Sequence, residues 1–583
     1  MKYAKKNYKF CMRKMFIFRI FIGIFIWCVF HQILGSSILM GQESPPNVVI
    51  ISAGGLGFSD LGCYGGEIKT PYLDKLADQG LVFTNFYNCG SSEMTLVSLM
   101  TGQYPHRMGM GRPMMNLGKK SYSGSMSRDS ATLAEFLKFA GYQTLAVGKW
   151  PMTLHYKVNA SQFAWPLNRG VDRFYGTILA QSSYFHPENL MLNTSEFKPE
   201  RDFYYTDGIG NEAVRFVQQA ARTKKPFFLY VSFTAPCWPL HAREADIKLY
   251  AGRYNMGWDA ARAGRYARLQ QNRMISSRVE LTARDPYVAP WTQVGSFSRW
   301  HARRMEVYAA QVTAMDRNVG VILDGLRQAG SLYNTLVIFI SDSGGNSDEL
   351  RPDGKQFHPA FPEKKGVRTP VSFGNNPQVM PGGEMSFQSY GVPWANVSNT
   401  PFRGYAKEAY EGGISSPCIV YWPQRIMEKG MVTQLTHVID IFPTVVDAAQ
   451  HIFPKTLNGR KTLRLVGESW FPLFDRHSRL EMAAAENPQQ RMLFWEVMGH
   501  SAVRYGKWKL VLPKGAQQWE LYNILLDRAE QNNVFTVHQR DPEVLEMIHG
   551  YDRWRKNNGV ETWRGTVALY KKIQEKKNQE DSP

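Results

Sequence analysis

Three side chains that could do chemistry, Lys149, Cys237 and Asp342, each follow a short apolar run with the character of a β-strand. An ammonium group at Lys149 could attract an anion, and a thiol at Cys237 could be a nucleophile. The alternatives are a lysine that pairs with Asp342 or stays solvated, and a thiol that is inert. Which alternative holds depends on where the fold places these residues.

The elements that must position them alternate between β-rich apolar runs and segments of helical period. This alternation is typical of a large, mostly parallel sheet flanked by helices, so the predicted fold class is α/β. In such sheets a site lies beyond the carboxyl ends of the strands. Four places are therefore expected to converge: residues 53–55, 149–152, 235–237 and 342–345.

The strands that end at these places are predicted from short apolar runs. They are residues 47–52, 143–147, 226–233 and 336–340. Helices are predicted from Pro71 to just before Gly80, from Leu133 to just before Gly141, and from Met305 to just before Gly330, because apolar positions there recur every three or four residues.

The chain is predicted to have three parts. Residues 1–40 are a leader, residues 45–457 are the α/β domain, and residues 458–583 are a smaller C-terminal α+β subdomain. The subdomain is predicted from short strands at residues 493–496, 508–512 and 519–523, followed by a helix that contains Val544, Met547 and Ile548.

The leader has the three-part layout of a secretory signal. Seven basic residues and no acidic ones precede Ser37, an apolar run covers residues 20–30, and small residues follow. The run is shorter than the roughly 20 residues that a bilayer requires, although the apolar flank from Met15 would lengthen it. Export to the periplasm, the exterior or a lumen is expected, with a retained N-terminal anchor as the alternative.

Composition excludes several classes of protein. Apolar residues make up 44% and charged residues 20% of the 583 residues, which disfavours disorder, collagen and coiled coil. The net charge of +19 suits anionic substrates or surfaces, but most of the surplus is expected on a solvated exterior, and no nucleic-acid partner is predicted. Beyond the leader, the four cysteines show no zinc-type spacing, and their pairing is undecided.

Nine ordered stretches carry a resemblance to a known family. They are LGFSDLGCYGG (56–66), TGQYPHR (101–107), GKW (148–150), GVDRFYG (170–176), FTAPCWPLHA (233–242), RRMEVYAAQV (303–312), SNTPFRGY (398–405), EGGISSP (411–417) and HVIDIFPT (437–444). Together they resemble the sulfatase family, of the arylsulfatase type within the alkaline-phosphatase-like superfamily. That resemblance implies the superfamily's large mixed sheet and, as the family norm, hydrolysis of sulfate esters by a formylglycine beside calcium.

The resemblance places two calcium-binding aspartates on Gly54 and Gly55, which have no carboxylate. A later Asp-Asn pair falls on Asp342 and Ser343, which keeps only the aspartate. Calcium takes six to eight oxygen ligands, several of them charged. We therefore expect no calcium and no other cofactor, with Asp342 and Ser343 as the remaining family metal positions.

The resemblance places the formylglycine on Ser92. The family needs Pro or Ala two residues later and Arg four residues later, and here these are Met94 and Leu96. The maturation signal is therefore absent, and the alternative for Ser92 is an ordinary serine at the start of a loop or helix.

Other family positions follow the same trend. Lys149 is retained as a catalytic and substrate-binding position, whereas one histidine is replaced by Pro151 and another by Cys237. A second lysine falls on Ala406, with Lys407 beside it. Lys149, Cys237 and Lys407 are the predicted substrate-binding residues, although Lys407 would face away from the site, as a solvated lysine, if the local backbone were regular.

Three hypotheses follow. The first is an exported sulfatase-like protein that is catalytically impaired and binds sulfated polysaccharide or another anionic glycan. The second is a sulfuric ester hydrolase with a rebuilt site. The third is a structural or partner-docking protein with no ligand in the cleft. Contact with a membrane is expected only through an uncleaved N-terminal segment.

Overall fold

The computed structural model describes residues 44–352 (apart from 156, 158 and 159), 371–484 and 491–580. The prediction for residues 1–40 therefore lies outside the described residues. Among the described residues, no helix is both long and apolar enough to cross a membrane.

Twenty strands are found in the described part of the chain. In order they are β1 Asn47–Ala53, β2 Leu81–Phe83, β3 Phe86–Tyr87, β4 Gln143–Gly148, β5 Arg173–Thr177, β6 Leu190–Leu192, β7 Ser195–Glu196, β8 Phe227–Ser232, β9 Thr335–Ser341, β10 Ser372–Phe373, β11 Ser386–Phe387, β12 Cys418–Tyr421, β13 Gly430–Val432, β14 Thr436–His437, β15 Thr456–Leu457, β16 Arg460–Lys461, β17 Leu493–Val497, β18 His500–Tyr505, β19 Trp508–Leu512 and β20 Glu520–Asn523.

Fourteen α-helices lie between them in the same described ranges. They are α1 Pro71–Gln79, α2 Ser92–Thr101, α3 Leu133–Phe139, α4 Tyr205–Ala221, α5 Glu244–Lys248, α6 Gly257–Gln271, α7 Ser298–Gln328, α8 Gly391–Ser398, α9 Glu411–Ile414, α10 Ile441–Ala448, α11 Arg476–Ala484, α12 Phe535–His538, α13 Pro542–Asn558 and α14 Trp563–Glu580.

Ten strands form the main sheet, in the order β13-β2-β12-β9-β1-β8-β4-β5-β6-β7. Its centre is parallel, since β1 pairs with β9 and β8, and β8 pairs with β4, all in parallel. Strands β1, β8 and β9 are almost wholly buried because apolar side chains on both faces pack under helices. The predicted α/β class is confirmed.

A second sheet, antiparallel, has the order β17-β18-β19-β20 and packs against α13. Three of its strands were predicted, but His500–Tyr505 was missed because polar residues interrupt its apolar ones. Pairing with a neighbour on each side places it in the sheet. The boundary between residues 457 and 458 stays a prediction.

Candidate functional site

The four central strands of the main sheet end side by side. Strands β9, β1, β8 and β4 are consecutive in the sheet and parallel. Their carboxyl ends therefore bring together the four places expected to converge. Lys149 follows β4 directly and Asp342 follows β9 directly, and both side chains are buried.

Lys149, Asp342 and Ser92 form a small hydrogen-bonded group, which we call the strand-end cluster. The Lys149 ammonium donates to Asp342 Oδ2 at 2.7 Å and to Ser92 Oγ at 2.8 Å. The Ser92 hydroxyl, at the start of α2, donates to the same Asp342 oxygen at 2.6 Å. The structure thus shows the paired alternative for Lys149, and it places the predicted nucleophile position against both charged groups.

The remaining oxygens near Asp342 are also engaged. Asp342 Oδ1 accepts the Gly55 backbone N–H at 2.9 Å. The Ser343 hydroxyl donates to the Gly344 carbonyl at 3.1 Å. Both predicted metal positions, Asp342 and Ser343, therefore have partners within the protein.

The two glycines at the vacated metal positions differ in their surroundings. A Cβ on Gly54 would lie 2.4 Å from the Thr234 carbonyl oxygen and 3.1 Å from Lys149 Nζ, so a side chain there would require the backbone to shift. Gly55 has more space, but its φ of +73° is strained for any residue with a side chain. Restoring the family's two aspartates would therefore disturb this backbone.

These residues do not fit a calcium ion. Among the family's metal positions, only Asp342 supplies a carboxylate, and its Oδ2 atom already contacts an ammonium group at 2.7 Å. Within the described ranges, no group of three or more His, Cys, Asp and Glu side chains is arranged to hold a metal. A divalent cation would have to displace the lysine and would still have only one charged ligand.

Cys237 lies beside this group as a buried free thiol. Burial raises its thiol pKa to about 12, although the Lys149 ammonium opposes that rise, and the carboxylates of Asp342 and Asp348 add to it. The Gln181 amide approaches Sγ at 3.9 Å, and no imidazole is among the groups that act on it. Since the thiolate is the nucleophile, these surroundings favour the inert alternative.

The structure also answers the undecided pairing of the four cysteines beyond the leader. Cys63, Cys89, Cys237 and Cys418 are all free in the structure, so no disulfide joins them.

Lys407 lies in a left-handed turn, with a φ of +76° and its N–H bonded to the Gly90 carbonyl. The expectation that Lys407 faces away from the site, which assumed a regular backbone, therefore does not apply. Its ammonium donates to both oxygens of Asp348, at 2.8 and 2.7 Å, and the side chain is about half exposed. Burial lowers the pKa of Lys407, but Asp348 more than offsets this, so the lysine stays charged.

The Lys407–Asp348 pair belongs to the same region as the strand-end cluster. Trp238, next to Cys237, donates to Asp348 Oδ2 at 3.2 Å, and both Lys149 and Asp348 affect the pKa of Cys237. The three predicted substrate-binding residues, Lys149, Cys237 and Lys407, are thus brought together. Asp348 was missed, because an aspartate in a loop after β9 carries no sequence signal.

A second buried charge group lies under the C-terminal sheet, and we call it the Glu411 cluster. Lys509 Nζ lies 2.9 Å from Glu411 Oε1 and 2.7 Å from Glu530 Oε1, and Arg528 Nε lies 3.1 Å from Glu411 Oε2. The Tyr87 hydroxyl also donates to Glu411, at 2.8 Å. Glu411 stands in the EGG motif, but sequence reasoning gave it no role.

Comparison with known proteins identifies two family models. The model described as Sulfatase matches residues 46–452, and the one described as N-sulphoglucosamine sulphohydrolase, C-terminal, matches residues 405–555. An arylsulfatase of Klebsiella aerogenes is 30% identical over 75% of this chain and 94% of its own length. An uncharacterized sulfatase of Schizosaccharomyces pombe is 28% identical over 89% of this chain and 95% of its own.

Solved structures share the fold. The crystal structure of Ps i-CgsB in complex with k-i-k-neocarrahexaose aligns with a TM-score of 0.63 at 23% identity, covering 89% of this chain and 95% of that one. The structure of BT4656 in complex with its substrate, D-glucosamine-2-N,6-O-disulfate, aligns with a TM-score of 0.57 at 18% identity, covering 88% and 98%. At these identities the likeness concerns the fold alone.

Proposed function

The chain belongs to the sulfatase family, whose model matches residues 46–452, and from this premise we propose that it has lost sulfate ester hydrolysis and binds sulfated glycans. The resemblance predicted from the nine sequence stretches is thereby confirmed at the level of the family. The loss of hydrolysis and the choice of ligand are the proposal.

The contact between Lys149 and Asp342 is the main support for the proposed loss of hydrolysis. An ammonium 2.7 Å from the one remaining carboxylate neutralises it, as calcium would do in the family. A lysine in this position cannot replace the metal's several bonds to sulfate oxygens, because its ammonium already donates to Asp342 and Ser92. The three side chains of the strand-end cluster hydrogen-bond to one another rather than being open to a sulfate ester.

The surroundings of Ser92 support the same conclusion. Met94 and Leu96 replace the residues that the family needs for making formylglycine. Both side chains are fully buried in the core beside the first turns of α2. The positions that would guide maturation and stabilise the oxyanion therefore serve packing.

Sulfated glycans are proposed as the ligand because an accessible cation, Lys407, remains beside the closed strand-end cluster. Lys149 and Lys407 both lie around Cys237, and Lys407 is partly exposed to solvent. Two solved structures that share the fold hold k-i-k-neocarrahexaose and D-glucosamine-2-N,6-O-disulfate. An anion that reaches Lys407 would compete with Asp348 for its ammonium.

We also propose that the protein is exported, on the pattern of residues 1–40. Fractionation of the native host, with sequencing of the mature N-terminus, tests this. A mature chain that begins near residue 40 supports a cleaved signal, whereas a chain that retains Met1 in a membrane fraction supports an anchor. Intact protein in the cytosol would contradict export.

The purified full-length protein tests the loss of hydrolysis. With aryl sulfates and sulfated oligosaccharides, sulfate release is expected at the uncatalysed rate, while the Klebsiella aerogenes arylsulfatase is active in parallel. Turnover on the order of 1 s⁻¹ would contradict the proposal. Binding of a sulfated oligosaccharide, set against the same oligosaccharide after desulfation, tests the ligand.

One observation favours a second candidate, a hydrolase with a rebuilt site. The Ser92 hydroxyl donates to the Asp342 carboxylate at 2.6 Å, and an adjacent base that accepts the hydroxyl proton is what activates a serine nucleophile. A panel of sulfate, phosphate and carboxylate esters separates the two candidates. Hydrolysis that disappears in Ser92→Ala, or a formylglycine mass at residue 92, would support this candidate over the first.

A further inference from the structure

A basic cleft lies away from the strand-end cluster. It has a volume of about 760 Å³, and its charged lining is dominated by Arg107, Lys120, Arg128, Arg460, Lys461 and Lys556. Asp129 is the one carboxylate in that lining. We propose that this basic cleft is a binding site for a linear sulfated polysaccharide, separate from the site proposed above.

The basic cleft and the strand-end cluster lie toward opposite ends of α2. Ser92 begins this helix and Thr101 ends it, a length of about 14 Å, and Arg107 follows six residues later. No residue of the strand-end cluster lines the basic cleft. A ligand in one site therefore does not depend on the other.

Four of the six cations have no carboxylate partner. In the described ranges, no acidic side chain lies within ion-pairing distance of Arg107, Arg128, Lys461 or Lys556, whereas Lys120 pairs with Asp129 and Arg460 pairs with Glu135. All four unpaired side chains are exposed. Such a concentration of one sign in a concavity strengthens the local field and attracts anions.

The cleft is held in shape by hydrogen bonds between segments far apart in sequence. Arg107 donates to the Asn557 carbonyl at 3.0 Å, and the Ser121 hydroxyl donates to the Gly559 carbonyl at 2.7 Å. Arg460 donates to the Arg128 carbonyl at 3.1 Å. Because the walls are already joined, little ordering is needed when a ligand binds.

The chemistry of the lining selects among polyanions. Several Arg and Lys side chains around one concavity match closely spaced sulfates, and guanidinium groups bind such oxyanions in a bidentate manner. The lining contains no Phe, Tyr or Trp, and the His106 ring is buried and bonded to Glu496. Single-stranded nucleic acid needs exposed rings for stacking, so a sugar chain fits better.

The shape argues against two other anionic partners. A concavity does not read a nucleic-acid duplex, whose grooves admit a helix or ribbon that projects from the protein, and it cannot follow a flat membrane surface. A narrow, flexible, sulfated sugar chain can enter it.

Binding of dextran sulfate to the full-length protein tests the proposal, with uncharged dextran as the matched probe. The test variant is R107Q/K461Q/K556Q. The control variant, K198Q/R201Q/K225Q, removes the same charges from exposed residues elsewhere that have no ion pair in the described structure. At about 0.15 M salt, we expect the test variant to weaken binding about tenfold and the control variant less than twofold.

A second measurement does not depend on variants. Lysine acetylation of the unmodified protein, with and without dextran sulfate, should show protection at Lys461 and Lys556 and none at Lys198 and Lys225. Equal weakening by both triple variants, or uniform protection, would overturn the proposal in favour of attraction by net charge alone.

Two further outcomes separate this site from the proposed function. If Lys407→Gln abolishes binding while the test variant does not, the polysaccharide binds only near the strand-end cluster, and the basic cleft is not its site. If single-stranded RNA binds the basic cleft more tightly than dextran sulfate of equal charge, the polysaccharide proposal is wrong.

Discussion

The strand-end cluster and the Glu411 cluster are both buried groups of opposite charges, yet they lie in different parts of the fold. The first joins one lysine to one aspartate where four parallel strands end. The second joins one lysine and one arginine to two glutamates, beneath a sheet that packs on the rest of the molecule. The first occupies the family's catalytic positions, whereas the second lies between the main domain and the C-terminal sheet.

A buried ion pair alone therefore does not indicate whether it lies at a functional site or only stabilises the fold. In both clusters each charge has an opposite partner, which is what burial requires. What differs is exposure, because Ser92 at the strand-end cluster is half-buried, whereas every charged side chain of the Glu411 cluster is buried. Removing single charges should therefore destabilise both clusters, but to different extents.

The largest effect is expected for Lys509→Met in the Glu411 cluster. It leaves the buried Glu530 without its ion-pair partner and Glu411 with one cation fewer, so the free energy of unfolding should fall by about 5 kcal/mol. Urea unfolding followed by tryptophan fluorescence measures it. Lys507→Met, an exposed lysine two residues away, is the control and should cost about 0.5 kcal/mol or less. Similar losses for the two variants would mean that the cluster does not matter for stability.

A smaller loss, about 3 kcal/mol, is expected for Lys149→Met in the strand-end cluster. Asp342 would still accept hydrogen bonds from Ser92 and from the Gly55 N–H, which softens the effect. The same unfolding measurement applies. The double variant Lys149→Met/Asp342→Leu should recover part of the loss, because it leaves no unpaired charge. A double variant less stable than Lys149→Met would contradict this account of the pair.

Stability should depend on pH through Glu530 in the Glu411 cluster. Burial and the nearby Glu411 carboxylate raise its pKa, against the effect of Lys509. The folded protein therefore holds this proton to higher pH than the unfolded chain, so stability falls as pH rises from the ordinary glutamate value. The slope is at most about 1.4 kcal/mol per pH unit. Urea unfolding between about pH 4.5 and 7 should show a shallower fall in Glu530→Gln, and an unchanged slope would refute this.

The smallest effect is expected at Cys237. With its thiol pKa raised to about 12, the thiolate fraction at pH 7.5 is below about 10⁻⁴, so iodoacetamide should hardly label it in the folded protein. The urea-unfolded protein, labelled under otherwise equal conditions, is the control. Rapid labelling of the folded chain, located by peptide mass spectrometry, would revive the nucleophile alternative.

Much of the α/β fold could be predicted from sequence because its strands are short apolar runs that end in small or polar residues. The strand that became β1 and the helix between Pro71 and Gly80 were placed within a residue or two. The long helix before Gly330 begins seven residues earlier than predicted, at Ser298, since its first turns are polar.

The site could be predicted only in part. The position of Lys149 and Asp342 at strand ends followed from local pattern, but their contact joins residues 193 positions apart on strands that are not neighbours. The pairing of Lys407 with Asp348 depends on a left-handed turn that no local pattern indicated. The basic cleft is assembled from four distant segments, so its charge density is visible only in the folded chain.

A calcium titration of the full-length protein by isothermal calorimetry tests the central claim most directly, with magnesium as the matched cation. If Lys149 has taken the place of the metal beside Asp342, no saturable calcium binding should appear up to about 1 mM. A site with a Kd of about 1 µM or tighter that disappears in Asp342→Asn would show that the cluster still holds the ion, and the account would be wrong.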